Sequence, residues 1–246
     1  MTTPPVKPQY SSPEEAARIY LLPNLFTAGN MLCGFLAIKN CIEARFTSLT
    51  ADGRADHYIM AVWFILFACV CDLFDGRVAR ATKRESLFGA EFDSIADTVS
   101  FGVAPALMAC FLVIKPEATD NVQLITWLLA FIYLLCAGVR LARFNVNTAV
   151  VDKRFFQGLP SPAAAALVMG FIAIMSDAEV APASMAWPMF VVALFSGLTM
   201  VTNVPFYSFK DVSMKQSVPF AVIVLIALGI AAVNIHPPMV LFGLFV

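Results

Sequence analysis

Four aspartates stand out against an otherwise apolar chain: Asp72, Asp75, Asp93 and Asp97. Asp72 and Asp75 are spaced i,i+3, which places them on one face of a helix, and Gly76 and Arg80 follow at successive turns. Gly89, Asp93 and Asp97 are spaced i,i+4 and share one face of a second helix. The short basic turn between these segments predicts antiparallel packing with the two faces apposed, so that four carboxylates meet. Carboxylates so close repel unless a cation lies among them. All-oxygen ligation suits Mg2+ or Mn2+, and two such ions would use all four groups. A pair of carboxylate-held divalent ions is a clamp for phosphoryl displacement. Gly76 and Gly89 leave bare backbone where a flat or phosphorylated ligand can approach. Arg80 and Ser86 offer donors to phosphate oxygens. The competing reading, charges that merely mark a membrane boundary, does not explain four acids and two glycines on the same faces. Glu91 points off that face, and His57 and His236 fall at the opposite ends of their segments.

The elements that must carry these residues are membrane spans. Of 246 residues, 60% are hydrophobic and 13% charged, outside the range of soluble globular chains. An ionised group at membrane depth costs about 2.5–3.5 kcal/mol on insertion scales, so four in adjacent apolar segments need compensation. Apolar runs at about residues 24–44, 57–80, 89–114, 123–144, 160–177, 185–206 and 217–235 each approach the ~20 residues that cross a bilayer. The tail from Met239 to Val246 suits only a partial further helix. Ser12-Pro13-Glu14-Glu15 is a helix start with a capping box, predicting a short amphipathic helix at the membrane surface through Tyr20, after a disordered leader. The expected architecture is an all-α polytopic membrane protein, with residues 21–246 forming a single transmembrane catalytic domain behind residues 1–20. The N-terminus lacks the layout of a cleavable signal. Six cysteines form neither a C-x-x-C pair nor a metal spacing and read as small buried hydrophobes. With a net charge of −1 and no nucleic-acid motif, a nucleic-acid partner is not expected.

Lysine and arginine gather on alternate connections. The leader holds Lys7 and Arg18; the next such regions hold Arg77, Arg80, Lys83 and Arg84, then Arg140, Arg143, Lys153 and Arg154, then Lys210 and Lys215. The opposite connections hold only Arg45, Arg54 and Lys115. The positive-inside rule puts the N-terminus and the aspartate cluster on the cytoplasmic side of the inner membrane.

The stretch Asp72–Asp97 matches D-x2-D-G-x2-A-R-x8-G-x3-D-x3-D at every fixed position, and so resembles the CDP-alcohol phosphotransferases, integral membrane enzymes of phospholipid synthesis. The resemblance implies a core of six spans with this motif on the second and third, and a homodimer. It implies that Asp72, Asp75 and Asp93 bind a dinuclear Mg2+ or Mn2+ centre, that Asp97 is both ligand and the base for the acceptor alcohol, and that Gly76, Arg80 and Ser86 contact the CDP part of the donor. Gly89 belongs to the same donor face. Leu22-Pro23-Asn24 through Asn30, Ser100-Phe-Gly102, Arg140-Leu-Ala-Arg143-Phe-Asn145 and Gly158-Leu-Pro160-Ser161-Pro162 are similar to the branch of that family that uses CDP-diacylglycerol and L-serine, the membrane-bound phosphatidylserine synthases. Arg140 and Arg143, spaced i,i+3, suit serine's carboxylate, or equally lipid phosphate and positive-inside anchoring. Asn24, Thr27 and Asn30 suit the nucleotide or its phosphates, or equally serve as polar residues where a span begins. The same chemistry with glycerol 3-phosphate, inositol phosphate or choline, and a non-enzymatic transporter, are the alternatives.

Overall fold

In the computed structural model the described residues are 20–46, 51–82, 86–113, 120–147, 155–177, 182–202 and 205–207. The surface helix before Tyr20, the span at 217–235 and the tail lie outside them. Six helical rods run in the order expected. Helix α1 is Leu21–Phe46 and α2 is Ala51–Thr82. The third rod comprises α3 (Leu87–Asp97), a π-helical segment (Thr98–Val103) and α4 (Ala104–Val113). Helices α5 (Asp120–Asn147), α6 (Ser161–Asp177) and α7 (Pro182–Val201) follow. Among the described residues, four stretches are long and apolar enough to cross a membrane: Leu21–Phe46, Gly53–Ala79, Leu87–Leu112 and Asn121–Val146. Two shorter apolar helices, Ser161–Met175 and Trp187–Val201, complete the bundle.

Side-chain size sorts inside from outside. Ala37, Cys41 and Ala44 of α1 and Ala61, Ile65 and Ala68 of α2 are buried, and small residues let these two helices pack along their length. Helix α6 is nearly enclosed: Ala163 through Met169 are all buried. Large apolar side chains such as Leu32, Phe35, Phe67, Leu128, Phe131 and Phe195 face outward, the pattern of helices solvated by lipid. The six cysteines are free thiols, three buried and three half-buried.

Sequence also sets the break in the third rod. Pro105 has no N–H to offer the Phe101 carbonyl one α-turn back. There the helix widens, and the Ala104 N–H reaches the Val99 carbonyl, five residues back. The buried Tyr133 hydroxyl of α5 donates to the Phe101 carbonyl at 3.2 Å, replacing the missing bond. A second irregularity closes the bundle between α5 and α6. Strands β1 (Phe155–Gln157) and β2 (Pro205–Tyr207) pair antiparallel. Gly158 then takes φ 81°; a Cβ there would collide with the Met200 carbonyl. The next residue, Leu159, donates its N–H to the Thr199 carbonyl at 3.1 Å.

Candidate metal centre

Helix α2 presents Asp72 and Asp75, and α3 presents Asp93. One carboxylate oxygen from each of the three lies within 4.8 Å of the others. Oxygens bound to one Mg2+- or Ca2+-sized ion at about 2.0–2.6 Å are at most ~5 Å apart, so this spacing fits a divalent cation. Asp93 Oδ1 is buried with no hydrogen-bond partner among the described residues, as a ligand atom would be. Three anionic oxygens with no thiol or imidazole among them are a donor set for a hard cation.

The expected meeting of two faces occurs, but α1 is what holds it together. Both α2 and α3 pack on α1. Thr27 Oγ1 donates to Asp75 Oδ2 at 2.9 Å, and Asn30 Nδ2 donates to Asp97 Oδ1 at 3.0 Å. Thr27, Asn30, Asp75 and Asp97 are all buried. Asp97 is thus placed one turn beyond Asp93, at the end of α3, outside the three-carboxylate group and beside the π-helical segment.

The donor-side residues gather at the start of α3. Ser86 is its N-cap, and its hydroxyl accepts from the Gly89 N–H at 3.1 Å. A Cβ at Gly89 would sit 3.3 Å from Ser86 Oγ and 3.5 Å from Asn24 Oδ1, so the three residues share one corner. Asn24 Nδ2 is buried there without a partner among the described residues. Gly76 lies half-buried in α2. Arg80 falls in the last turns of α2, and its side chain is outside the described residues.

The arginines of α5 are held by the start of α6 and the end of α7. Arg140 donates to the fully buried Ser161 Oγ at 2.8 Å and lies 5.6 Å from the centre of the Phe144 ring. Arg143 Nη1 donates to the Val201 carbonyl at 3.2 Å. Asn145 Nδ2 donates to Ser94 Oγ at 2.9 Å, joining α5 to α3. Ser94 and Tyr133 were not singled out by spacing along the chain, and Ser100 and Ser161 only as members of the stretches that carry the resemblance, because each is defined by a partner on another helix. Their signals were the Pro160-Ser161-Pro162 turn and a proline inside the third rod. At the other end of the bundle His57 pairs with Asn40 Oδ1 at 3.0 Å and Glu43 Oε2 at 3.6 Å, away from the aspartates.

A helical membrane bundle with a carboxylate cage for a hard cation at one end is suited to chemistry on phosphates. The comparisons agree. The family model for CDP-alcohol phosphatidyltransferases matches residues 20–199. Relatives include the CDP-diacylglycerol–serine O-phosphatidyltransferase of Helicobacter pylori (strain ATCC 700392 / 26695), 33% identical over 216 residues, covering 88% of this chain and 83% of that one. The Saccharomyces cerevisiae protein of the same name is 41% identical over 156 residues, 61% of this chain and 52% of its own. That of Mycobacterium leprae is 27% identical over 234 residues, 92% of this chain and 71% of its own. The chain belongs to the CDP-alcohol phosphatidyltransferase family, and is a transferase of phospholipid biosynthesis with membrane-spanning helices.

Proposed function

We propose that the protein transfers the phosphatidyl group of CDP-diacylglycerol to the hydroxyl of L-serine, giving phosphatidylserine and CMP. The observation that carries this reading is the convergence of Asp72, Asp75 and Asp93 beside Asp97, in a chain whose relatives along most of its length bear the name of that activity. Asp72, Asp75 and Asp93, with Asp97, would hold two divalent cations, Mg2+ or Mn2+. Bound there, the cations would neutralise charge on the donor's pyrophosphate and on departing CMP.

The chain's own residues supply the rest. Gly76 and Gly89 admit the nucleotide close to the backbone. Ser86 accepts a hydrogen bond as helix cap, and a hydroxyl so engaged can still donate to a phosphate oxygen. Arg80 offers its guanidinium to the same phosphates, and Asn24 its buried, unpartnered amide. Asp97 takes the proton of the acceptor hydroxyl as it attacks the phosphorus that bears the diacylglycerol. Arg140 and Arg143 receive the acceptor's carboxylate, Arg140 from a guanidinium already fixed by Ser161. Positioning and electrostatics account for most of the acceleration. The site opens toward the cytoplasmic leaflet of the inner membrane, as the lysine and arginine asymmetry favours, and the protein works as a homodimer.

The test is purified protein with CDP-diacylglycerol, Mn2+ or Mg2+ and a panel of acceptors. CMP release with serine alone is the expected result. Release with glycerol 3-phosphate and none with serine would overturn the choice of acceptor. No release with any acceptor would favour a transporter.

A further inference from the structure

Asn30 grips the catalytic rod at two points. Its side-chain Nδ2 donates to Asp97 Oδ1 at 3.0 Å, and its main-chain carbonyl accepts from Ser100 Oγ at 2.9 Å. Asp97 is the last residue of α3, and Ser100 lies within the π-helical segment that follows. The two bonds therefore straddle the junction between the two helix types. Asn30 has no exposed surface, and neither has Ser100. One turn on, Gly34 lets α1 come this close: a Cβ there would sit 2.8 Å from Ser100 Cα.

This arrangement constrains what Asn30 can do. A carboxylate rotates about its terminal torsion with little preference, so a bare Asp97 would sample many orientations. An amide donor on Oδ1 selects one and leaves Oδ2 for the acceptor. One N–H of that amide is engaged by Asp97 inside the bundle, and the amide oxygen is buried without a partner among the described residues. Ser100 removes the remaining freedom by fixing the stretch of α1 that carries the amide.

We propose that Asn30 is a positioning residue for the transfer: it sets the orientation of the Asp97 carboxylate relative to Asp72, Asp75 and Asp93, and acts on turnover instead of on nucleotide binding. The proposal rests on the reading of Asp97 as proton acceptor given above.

Steady-state kinetics of Asn30→Ala in detergent micelles, with calorimetric titration of CMP in the presence of Mn2+, test it. The expected result is a fall in kcat of about 10- to 100-fold, as for a displaced reacting group. KM for CDP-diacylglycerol and for serine, and Kd for CMP, stay within about twofold. A Kd for CMP weakened about tenfold with kcat retained would overturn the proposal and assign Asn30 to the nucleotide; an unchanged kcat would overturn it too. If Asn30→Ala does not fold, Ser100→Ala carries the test, since it removes only the hydroxyl on the Asn30 carbonyl. Lower kcat with unaltered CMP affinity supports the proposal, and unaltered kcat removes it. Full turnover in Asp97→Asn would eliminate Asp97 as proton acceptor and the proposal with it, an outcome seen without any change at Asn30.

Discussion

Each aspartate of the cluster keeps different company, and its role follows from that company. Asp75 has a hydroxyl on one oxygen, Asp97 an amide, and Asp93 an oxygen that no described group satisfies. Asp97→Asn preserves shape and the contact with α1 while removing the basic oxygen. CMP release should be abolished with CDP-lipid binding partly retained, measured by turnover and by lipid binding in micelles. Full activity in that variant would remove Asp97 as the base. Thr27→Val keeps volume but takes the donor from Asp75. Groups that orient a metal ligand typically contribute 10- to 100-fold in affinity, so Mn2+ binding should weaken by about tenfold in calorimetry. The aspartates themselves were legible in the sequence because their spacing is intrinsic to one helix. Their partners were not: Thr27 and Asn30 were visible as polar residues at the start of a span, but which atoms they face is decided by how α1 docks on two other helices. The Arg140 contact with Ser161 was hidden for the same reason.

Among elements, the third rod carries the most consequence for the least sequence. Its six-residue π segment is explained by Pro105 and repaired by Tyr133. Tyr133→Phe leaves the Phe101 carbonyl buried without its donor, which should cost about 1–3 kcal/mol and appear as a lower unfolding temperature. An unchanged unfolding temperature would mean that the carbonyl finds another partner. The six rods and their order were readable from apolar run length, since backbone groups in lipid must bond within their own segment and leave helix as the solution. The widened turn was not readable. A proline after a helical pattern predicts a kink or an end equally well, and the hydroxyl that meets the Phe101 carbonyl comes from another helix. The apposition of the α2 and α3 faces was expected from the short connection; that both would pack on α1 was not.

For the whole molecule, the balance is between an apolar exterior and a concentration of negative charge at one end. Three carboxylates with oxygens within 4.8 Å repel each other in every folded copy that lacks a cation. A cation that binds the folded state alone at 100 times its Kd adds about 2.7 kcal/mol of stability. In a chain of this size that corresponds to a rise of roughly 5–10 °C in Tm. Saturating Mn2+ should therefore raise Tm, chelation should lower it, and Asp93→Asn should largely abolish the difference in thermal unfolding. Equal Tm values with and without cation would argue that the cluster holds none. Composition alone was enough to read a membrane protein, because lipid-facing and interior positions are both apolar. For that same reason it did not distinguish the enclosed α6 from its lipid-exposed neighbours; only the run Ala163–Ala166 hints at it.

The π segment also puts the two halves of its rod out of phase. A turn that holds one residue more than an α-turn rotates everything beyond it by about 100°. A single helical wheel drawn through Leu87–Val113 consequently misplaces one half, whichever half it is fitted to. Insertion or deletion of one residue between 98 and 103 is then never a local change. It can keep Asp93 with the α2 aspartates and Asp97 on Asn30, or keep the Ala104–Val113 half seated on α5, but the rod has only one frame in which both are true.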